Sequence, residues 1–455
     1  MPTESFDVVV VGGGTAGTFA ASTVADAGLD VVLLERKSES NAGHIACGDA
    51  IKGKSTFPDV IDREYLKDES FTNENIQYAR FENPQTEETL EIPFEEAGAV
   101  VDRRRYGEVL LEESERLGVD IRYNQVVQDV IQEKGQVKGV HSSQNGDQTT
   151  FEAEMVIDAA GAMSILQDQV DFSESTFDTK VHFQQFCSAY REVIEVEDPV
   201  EYDDSIVFMP TAELGYLWYF PRTETMINAG LGFQMNKPPM KLVDHLKKDV
   251  RSRSEFENAK VIDKLGAALP TRRPYDSAVA PGYAAVGDAA APVNPATGGG
   301  IPGAAKAGHW AAEAAIKGIE NGDVSEDALW EYNRKVMTDF GKRFAAIDLY
   351  NIWAGTHNVD ELTGIVTALP GQALIDALGK GAAGMSLGLK LDTLRRTFGH
   401  WKTLFGLYRV HQQALKLKAV YDDYPRDPDG FEDWRARRDE IYDTVYEISG
   451  ADPKY

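Results

Sequence analysis

Cysteine is scarce in this chain: its 455 residues include only Cys47 and Cys187. Two thiols make no disulfide framework, and a reducing compartment is expected. Basic residues are also in short supply, 46 Lys and Arg against 74 Asp and Glu, which leaves a net charge of −28. Such a surface repels phosphate backbones, so no nucleic-acid partner is expected. It suits concentrated salt, where screening removes the self-repulsion, and a salt-adapted cytoplasm is the expectation. Long apolar runs are missing as well, and none approaches the roughly 18 residues that cross a bilayer. The opening MPTESFDVVVVGGG has no basic stretch of the kind that begins a secretory signal. The protein is therefore expected to be soluble or to lie on the inner face of a membrane. Only eight histidines occur, and none is spaced with cysteine as metal ligands are. His182 and His309 stand alone in apolar stretches and read as structural.

Hydrophobic residues make up 42% of the chain, enough for the two or three structural units its length implies. The strongest signal is FDVVVVGGGTAGTFAASTVADAGLDVVLLER, which begins at Phe6 and reads strand, glycine loop, helix, strand. Phe6–Val11 is nearly all β-branched, as a strand covered on both faces is. Gly12, Gly14 and Gly17 then give G-x-G-x-x-G, with Ala16 in the same turn. The first two glycines let the backbone turn and approach a pyrophosphate, and the third lets the helix pack close to the strand. The helix N-terminal amides face the phosphates. The second strand, Val31–Leu34, leads to Glu35, whose carboxylate can take both ribose hydroxyls of an adenosine.

A second glycine cluster lies far down the chain. YAAVGDAAAPVNPATGGGIPGAAKAGHWAAEAA, from Tyr283, reads short strand, Gly-Asp, loop, triple glycine, helix. Paired with the N-terminal motif, it resembles the glutathione-reductase-type flavoprotein fold. That resemblance implies FAD as cofactor, Asp288 on its ribityl chain, and the amides of Gly300 and Ile301 on the flavin pyrimidine ring. A helix start there stabilises the negative charge of reduced flavin, and Pro302 suits the first helical turn. VVDRRRYGEVLLEESERLGVDI resembles the D-R-x-x-[FY] helix start of the same superfamily. By that match Arg103 reaches the cofactor, while Arg104 and Arg105 read as exposed charges. The next segment alternates like strands, with turn signals at Lys134–Gly135 and Asn145–Gly146, and reads as a β-meander. In it Val127 falls where the superfamily's adenine contact would. Asp158–Gly161 with Ser164 matches A-D-G-x-x-S only in part, because Ala160 replaces the aspartate that helps aromatic hydroxylases with their nicotinamide cofactor. Direct use of NADPH is correspondingly less favoured.

Two shorter motifs narrow the family. HIACGDAI puts Cys47, Gly48, Asp49 and Ala50 just after the second strand. GYLWYFPR, residues 215–222, matches Y-x-W-x-F-P. Read as a strand, it sends Tyr216, Trp218 and Phe220 to one face and Leu217 and Tyr219 to the other. Taken alone it is an ordinary aromatic core strand. Together the motifs resemble the geranylgeranyl reductase family, especially the archaeal digeranylgeranylglycerophospholipid reductases, and with the acidic composition imply a halophilic archaeon. The resemblance rests on motifs over roughly the first 330 residues. It implies that Y-x-W-x-F-P lines the tunnel of a prenyl chain, which aromatic faces bind without polar partners. It places Cys47, Gly48 and Ala50 beside the flavin. The implied activity is FAD-dependent saturation of C=C bonds of geranylgeranyl chains in archaeal membrane-lipid precursors. Cys47 is the candidate proton donor; its competing reading is a small residue packed beside the ring. The rival activities are an FAD-dependent monooxygenase of the aromatic hydroxylase type and a flavin and prenyl-lipid binding protein without turnover. The electron donor stays open among NADPH, ferredoxin and another carrier.

The expected organisation is α/β (α+β overall). A Rossmann-like FAD-binding domain covers 1–162 and 281–322, an antiparallel-sheet substrate domain 163–280, and a helical C-terminal region 323–455. Between Lys390 and Val420 lie seven basic residues, Lys390, Arg395, Arg396, Lys402, Arg409, Lys416 and Lys418, and one acid, Asp392. Leu387, Leu391, Leu394, Phe398, Trp401, Phe405 and Tyr408 recur there at steps of four and three, one helix face. The segment reads either as a contact for anionic lipid headgroups or as a domain-packing helix with a solvated basic edge, weakened at Gly399 and Gly406. YPRDPDG, residues 424–430, reads as a linker to an acidic final helix.

Overall fold

The computed structural model describes residues 2–84, 89–212, 215–235, 237–359, 361–362 and 401–455. In chain order the first elements are β1 (Thr3–Val11), α1 (Thr15–Asp26), β2 (Val31–Glu35), α2 (Glu39–Ala42), β3 (Ala50–Ile51), α3 (Arg63–Ser70), β4 (Phe71–Glu82), β5 (Thr89–Val101), α4 (Arg103–Arg116) and β6 (Asp120–Tyr123). Then come β7 (Val126–Glu133), β8 (Gln136–Gln144), β9 (Asp147–Asp158), β10 (Phe186–Glu195), β11 (Ser205–Pro210), β12 (Tyr216–Thr223), β13 (Met226–Gln234) and α5 (Met240–Ser252). The rest are β14 (Lys260–Pro270), β15 (Val279–Ala280), β16 (Tyr283–Ala285), α6 (Ile301–Asn321), α7 (Glu326–Val336), α8 (Lys342–Ala354), α9 (Trp401–Asp422) and α10 (Phe431–Ser449).

β1 sits inside the first sheet, parallel to β2 on one side and β9 on the other. Val8–Val11 are therefore covered on both faces and buried, which a continuous β-branched run satisfies and an alternating one does not. The sheet runs β15-β16-β9-β1-β2-β6, and β7 and β8 join it through β9 as a meander. Lys134, Gly135, Asn145 and Gly146 all take positive φ, the two-residue hairpin geometry that their sequence signals. α1 lies close on β1 because Gly17 lacks a side chain: a Cβ there would sit 1.9 Å from the Gly12 carbonyl oxygen. α6 crosses α1 as closely at Gly308, 2.0 Å by the same measure from the Ala16 carbonyl oxygen.

The second sheet runs β14-β10-β13-β12-β11-β4-β5-β3. Three of its strands, β3, β4 and β5, come from residues 50–101, which the expected division placed in the FAD-binding domain over 1–162. β11 would otherwise present an unpaired edge, and β4 closes it in parallel from Ser205↔Tyr78 to Phe208↔Phe81. The chain thus crosses to the second sheet and back before the meander. Along β12 the side chains alternate as the sequence implies. Leu217 and Tyr219 enter a core with Ile227, Ala229, Leu231 and the α5 residues Leu242 and Leu246. Trp218 and Phe220 share the other face with Ile76, Val100, Phe208 and Tyr216.

The described C-terminal segments are mostly helical. Arg272 pairs with Asp178 at 2.5 Å, and Arg273 and Arg438 share Asp276, which ties α10 to the loop before β15. YPRDPDG is no free linker: Tyr424 is buried and its ring lies against Trp330 and Trp434. Of the basic segment, Lys390, Asp392, Arg395, Arg396, Leu387, Leu391, Leu394, Phe398 and Gly399 lie outside the described residues. α9 continues through Gly406, where a Cβ would come 3.0 Å from Trp353 Nε1. It buries Val410, Ala414, Leu417 and Tyr421 and exposes Trp401, Phe405 and Tyr408.

Candidate active site

A cavity of about 2170 Å³ opens between the two sheets, α6 and α8. At one end lie Gly12, Gly14, Ala16, Glu35 and Val127. Gly17 is not among the residues lining it; it packs α1 on β1. Glu35 accepts hydrogen bonds from the amides of Gly13 (2.8 Å) and Lys37 (2.7 Å), which hold its carboxylate at the end of β2. Gly12 takes φ +107°, and a Cβ there would lie 2.4 Å from the Ala159 carbonyl oxygen, so only glycine fits this turn. The caps of α1 and α6, Gly14 and Gly300, offer no side chain to their helix starts. Two sets of helix N-terminal amides thus border the cavity uncapped, as an anion site requires.

Arg103 is buried; its Nη2 donates to Thr15 Oγ1 at 3.1 Å, while Nη1 has no partner among the described residues. A buried guanidinium left with a free donor calls for an acceptor from a ligand. Arg104 and Arg105 instead pair with exposed glutamates, as the sequence implies. The Asp288 carboxylate borders the cavity with Gly300 and Ile301 and takes no hydrogen bond among the described residues. Burial pushes it up to about 6, against the pull of Arg103. An acceptor in want of a donor fits the hydroxyls of a ribityl chain. These residues fit FAD.

Deeper in the same cavity the two short motifs meet. Asp49, at φ +70°, is fully buried and pairs with Arg222 at 2.6 Å. Asn228 donates to the Cys47 carbonyl oxygen (2.9 Å) and to Asp49 Oδ2 (2.5 Å), and accepts from Trp218 Nε1 (3.0 Å). One asparagine on β13 therefore binds the Cys-Gly-Asp turn to the aromatic strand. Trp218 sits directly opposite Gly230 in the β12–β13 register. A Cβ on Gly230 would come 2.2 Å from the indole, and one on Gly48 would come 3.1 Å from Phe220. The aromatic wall is thus built on absent side chains. Trp218 and Phe220 are buried, packed beneath the cavity surface as well as lining it, whereas Tyr216 is half-buried and donates to the Thr297 carbonyl oxygen at 2.6 Å.

The Cys47 thiol borders the cavity beside Gly48 and Ala50. Burial and the nearby Asp49 push its pKa up, so it holds its proton at neutral pH. The sequence reading assigned no role to Asn228, Arg222 or Cys187. The Cys187 thiol lines the same cavity and burial, with Asp288 nearby, pushes it up to about 12. Buried Arg191 also lines it, bonded to Asp263 at 2.5 Å and with its Nε unpartnered among the described residues. The only sequence signals for these were the arginine closing GYLWYFPR and the glycines of NAGLG. His309 is structural, bonded to Thr23 Oγ1 at 2.9 Å across the α1–α6 contact.

The model of the FAD binding domain family matches residues 5–338. The digeranylgeranylglycerophospholipid reductase of Sulfolobus acidocaldarius is 28% identical over 448 residues, 96% of this chain and 97% of the relative. That of Methanosarcina acetivorans is 31% identical over 345 residues, 73% of this chain and 80% of the relative. The crystal structure of a geranylgeranyl bacteriochlorophyll reductase-like protein from Thermoplasma acidophilum shares the fold, with a TM-score of 0.73 at 22% identity over 91% of this chain and all of that one. With these matches over most of its length, the chain belongs to the FAD-binding family and, within it, to the digeranylgeranylglycerophospholipid reductases.

Proposed function

We propose that the protein is an FAD-dependent reductase that saturates C=C bonds of geranylgeranyl chains in archaeal membrane-lipid precursors. The observation that carries this reading is the junction of wall and turn. Tyr216, Trp218 and Phe220 form an apolar surface that continues, through Gly48, to the Cys47 thiol in the cavity that holds the cofactor cradle. FAD supplies the hydride chemistry that an unpolarised alkene requires. Gly12, Gly14, Ala16, Glu35, Arg103, Val127, Asp288, Gly300 and Ile301 hold it. The aromatic faces lay the prenyl chain along β12 by apolar contact. Asp49, Arg222 and Asn228 keep the turn rigid, and Cys47, neutral because its pKa is raised, donates the proton to the second alkene carbon.

NADPH, ferredoxin or another carrier reloads the site with electrons. Among the described residues no helix is long and apolar enough to cross a membrane. The exposed Trp401, Phe405 and Tyr408 of α9, with Lys402 and Arg409, give a peripheral contact with the anionic inner face of a membrane. The acidic surface suits a halophilic cytoplasm. Mass spectrometry of a geranylgeranyl lipid incubated with dithionite-reduced protein tests the reading. A gain of two hydrogens per bond is expected, and unchanged lipid would refute it.

A further inference from the structure

The sheet that carries the aromatic wall also carries a buried cation. Arg191 on β10 pairs with Gly230 on β13, which pairs with Trp218 on β12. Residues opposite one another share a face of the sheet, and Arg191 and Trp218 both line the cavity. The row runs Phe81, Phe208, Trp218, Gly230, Arg191 and Leu265, and Arg191 is its only polar member. The indole lies over Gly230, which turns it toward β10. A buried charge in an apolar row costs free energy unless it is paired. Arg191 Nη1 donates to Asp263 Oδ2 at 2.5 Å, and His44 Nε2 lies 2.8 Å from the same oxygen. Against the effect of burial, these two hold the Asp263 carboxyl down at about 2. Arg191 Nε is left without a partner among the described residues. Two connections lead from this guanidinium to Cys47. His44 precedes Cys47 by three residues, so Asp263 ties Arg191 to the Cys-Gly-Asp turn. Asn228 is a diagonal neighbour of Arg191 across the β10–β13 register, about 7–8 Å away, and donates to the Cys47 carbonyl oxygen at 2.9 Å.

We propose that Arg191, clamped by Asp263 and His44, is a positioning residue whose positive charge offsets the Cys47 thiolate. The inference rests on the reading of Cys47 as proton donor and adds what bears the charge left behind. When the S–H bond breaks, the proton forms a C–H bond at the alkene carbon that does not receive hydride, and the electron pair stays on Sγ. The sulfur then carries a negative charge beside Asp49, whose own charge is already matched by Arg222. Arg103 is committed to the cofactor cradle, which leaves Arg191 as the cation without another task. Burial and Asp49 push the thiol up, and Arg103 and Arg191 pull it down. Tyr106 of α4 and Tyr216 of β12 also face Cys47, and burial keeps both neutral. A guanidinium keeps its charge at every working pH. The offset is therefore in place before the proton leaves and needs no rearrangement during the step.

The test is alkylation of Cys47 by iodoacetamide, which reacts with the thiolate and not the thiol. FAD-loaded protein carrying Cys187→Ser leaves Cys47 as the only thiol, and mass spectrometry follows its modification against pH. Arg191→Met is expected to move the midpoint of the rate up by about one pH unit or more. Arg191→Lys keeps the charge and is expected to hold the midpoint near that of the parent. Asp263→Asn removes the carboxylate that quenches Arg191 and is expected to move the midpoint down. Mere loosening of the turn would move the Met and Asn variants in the same direction, and that result would overturn the proposal. An Arg191→Met midpoint equal to that of the parent, or a Lys variant no better than Met, would overturn it too. The assay needs no substrate, so it separates this inference from the reading beneath it. Midpoints that move as expected, with a Cys47→Ser protein that saturates the alkene as fast as the parent, would refute the proton donor and leave the coupling of Arg191 to Cys47 standing.

Discussion

Replacing Arg222 with methionine isolates the buried pair at the centre of the site. Asp49 is fully buried and Arg222 nearly so. Among the described residues Asp49 Oδ1 has no partner even in the parent, so of these Asn228 alone would remain hydrogen-bonded to that carboxylate. Removing one member of a buried pair typically costs about 3–5 kcal/mol. A chain of 455 residues unfolds with an entropy near 1 kcal/mol per degree, so Tm should fall by about 3–5 °C. Burial already raises the Asp49 carboxyl against the pull of Arg222, and loss of Arg222 raises it further. With the folded-state pKa above the unfolded one, protonation favours the fold. The deficit relative to the parent is therefore smallest at acid pH and grows as pH rises through the raised value. Asp49→Asn in the Arg222→Met background removes the charge and should return most of the loss. Thermal unfolding of FAD-saturated protein at pH 5.5 and pH 8 measures both effects. A fall below about 1 °C, or equal deficits at the two pH values with no rescue by Asn, would refute the argument.

Asp288 predicts a pH dependence of cofactor binding. Its carboxyl sits near 6 without ligand, and as carboxylate it accepts from the ribityl hydroxyls, so FAD affinity should rise from pH 5 to pH 7 and Asp288→Ala should abolish the rise with about a tenfold or greater loss at pH 7; titration of flavin fluorescence checks both. Gly230→Ala should displace the Trp218 indole, and Trp218→Ala should remove the wall. Each should weaken prenyl-lipid binding with FAD retained, the latter by about 3 kcal/mol, and unchanged lipid affinity would return the strand to the core alone. Cys47→Ser should bind FAD and lipid yet saturate the alkene about 10²–10⁴-fold more slowly in single-turnover mixing. The parent rate should hold to pH values above an ordinary thiol pKa before falling, because the Cys47 thiol is raised; a serine variant as fast as the parent would make Cys47 a packing residue.

The local features were legible because local chemistry specifies them. The valines of β1, the glycines at 12, 14 and 17, Glu35 at the end of β2 and the hairpin turns at Lys134–Gly135 and Asn145–Gly146 each depend on neighbours within a few tens of residues. The period-two alternation of GYLWYFPR likewise assigned its two faces before any partner was known. Other features had no local signal. That β3, β4 and β5 leave the FAD-binding segment to close the edge of β11 depends on an unpaired strand more than a hundred residues away. Asp49 and Arg222 are separated by 173 residues, and neither residue type announces a buried partner, since most aspartates and arginines are solvated. Gly230 reads as a weak point in a strand until the register sets it against Trp218. Sequence alone thus determined the wall's orientation through its period-two alternation, and the cofactor and the family through the motifs it shares with known flavoproteins. Tertiary structure alone decided which buried charges face one another and which missing side chains shape the cavity, because those depend on register and chain crossing between distant segments.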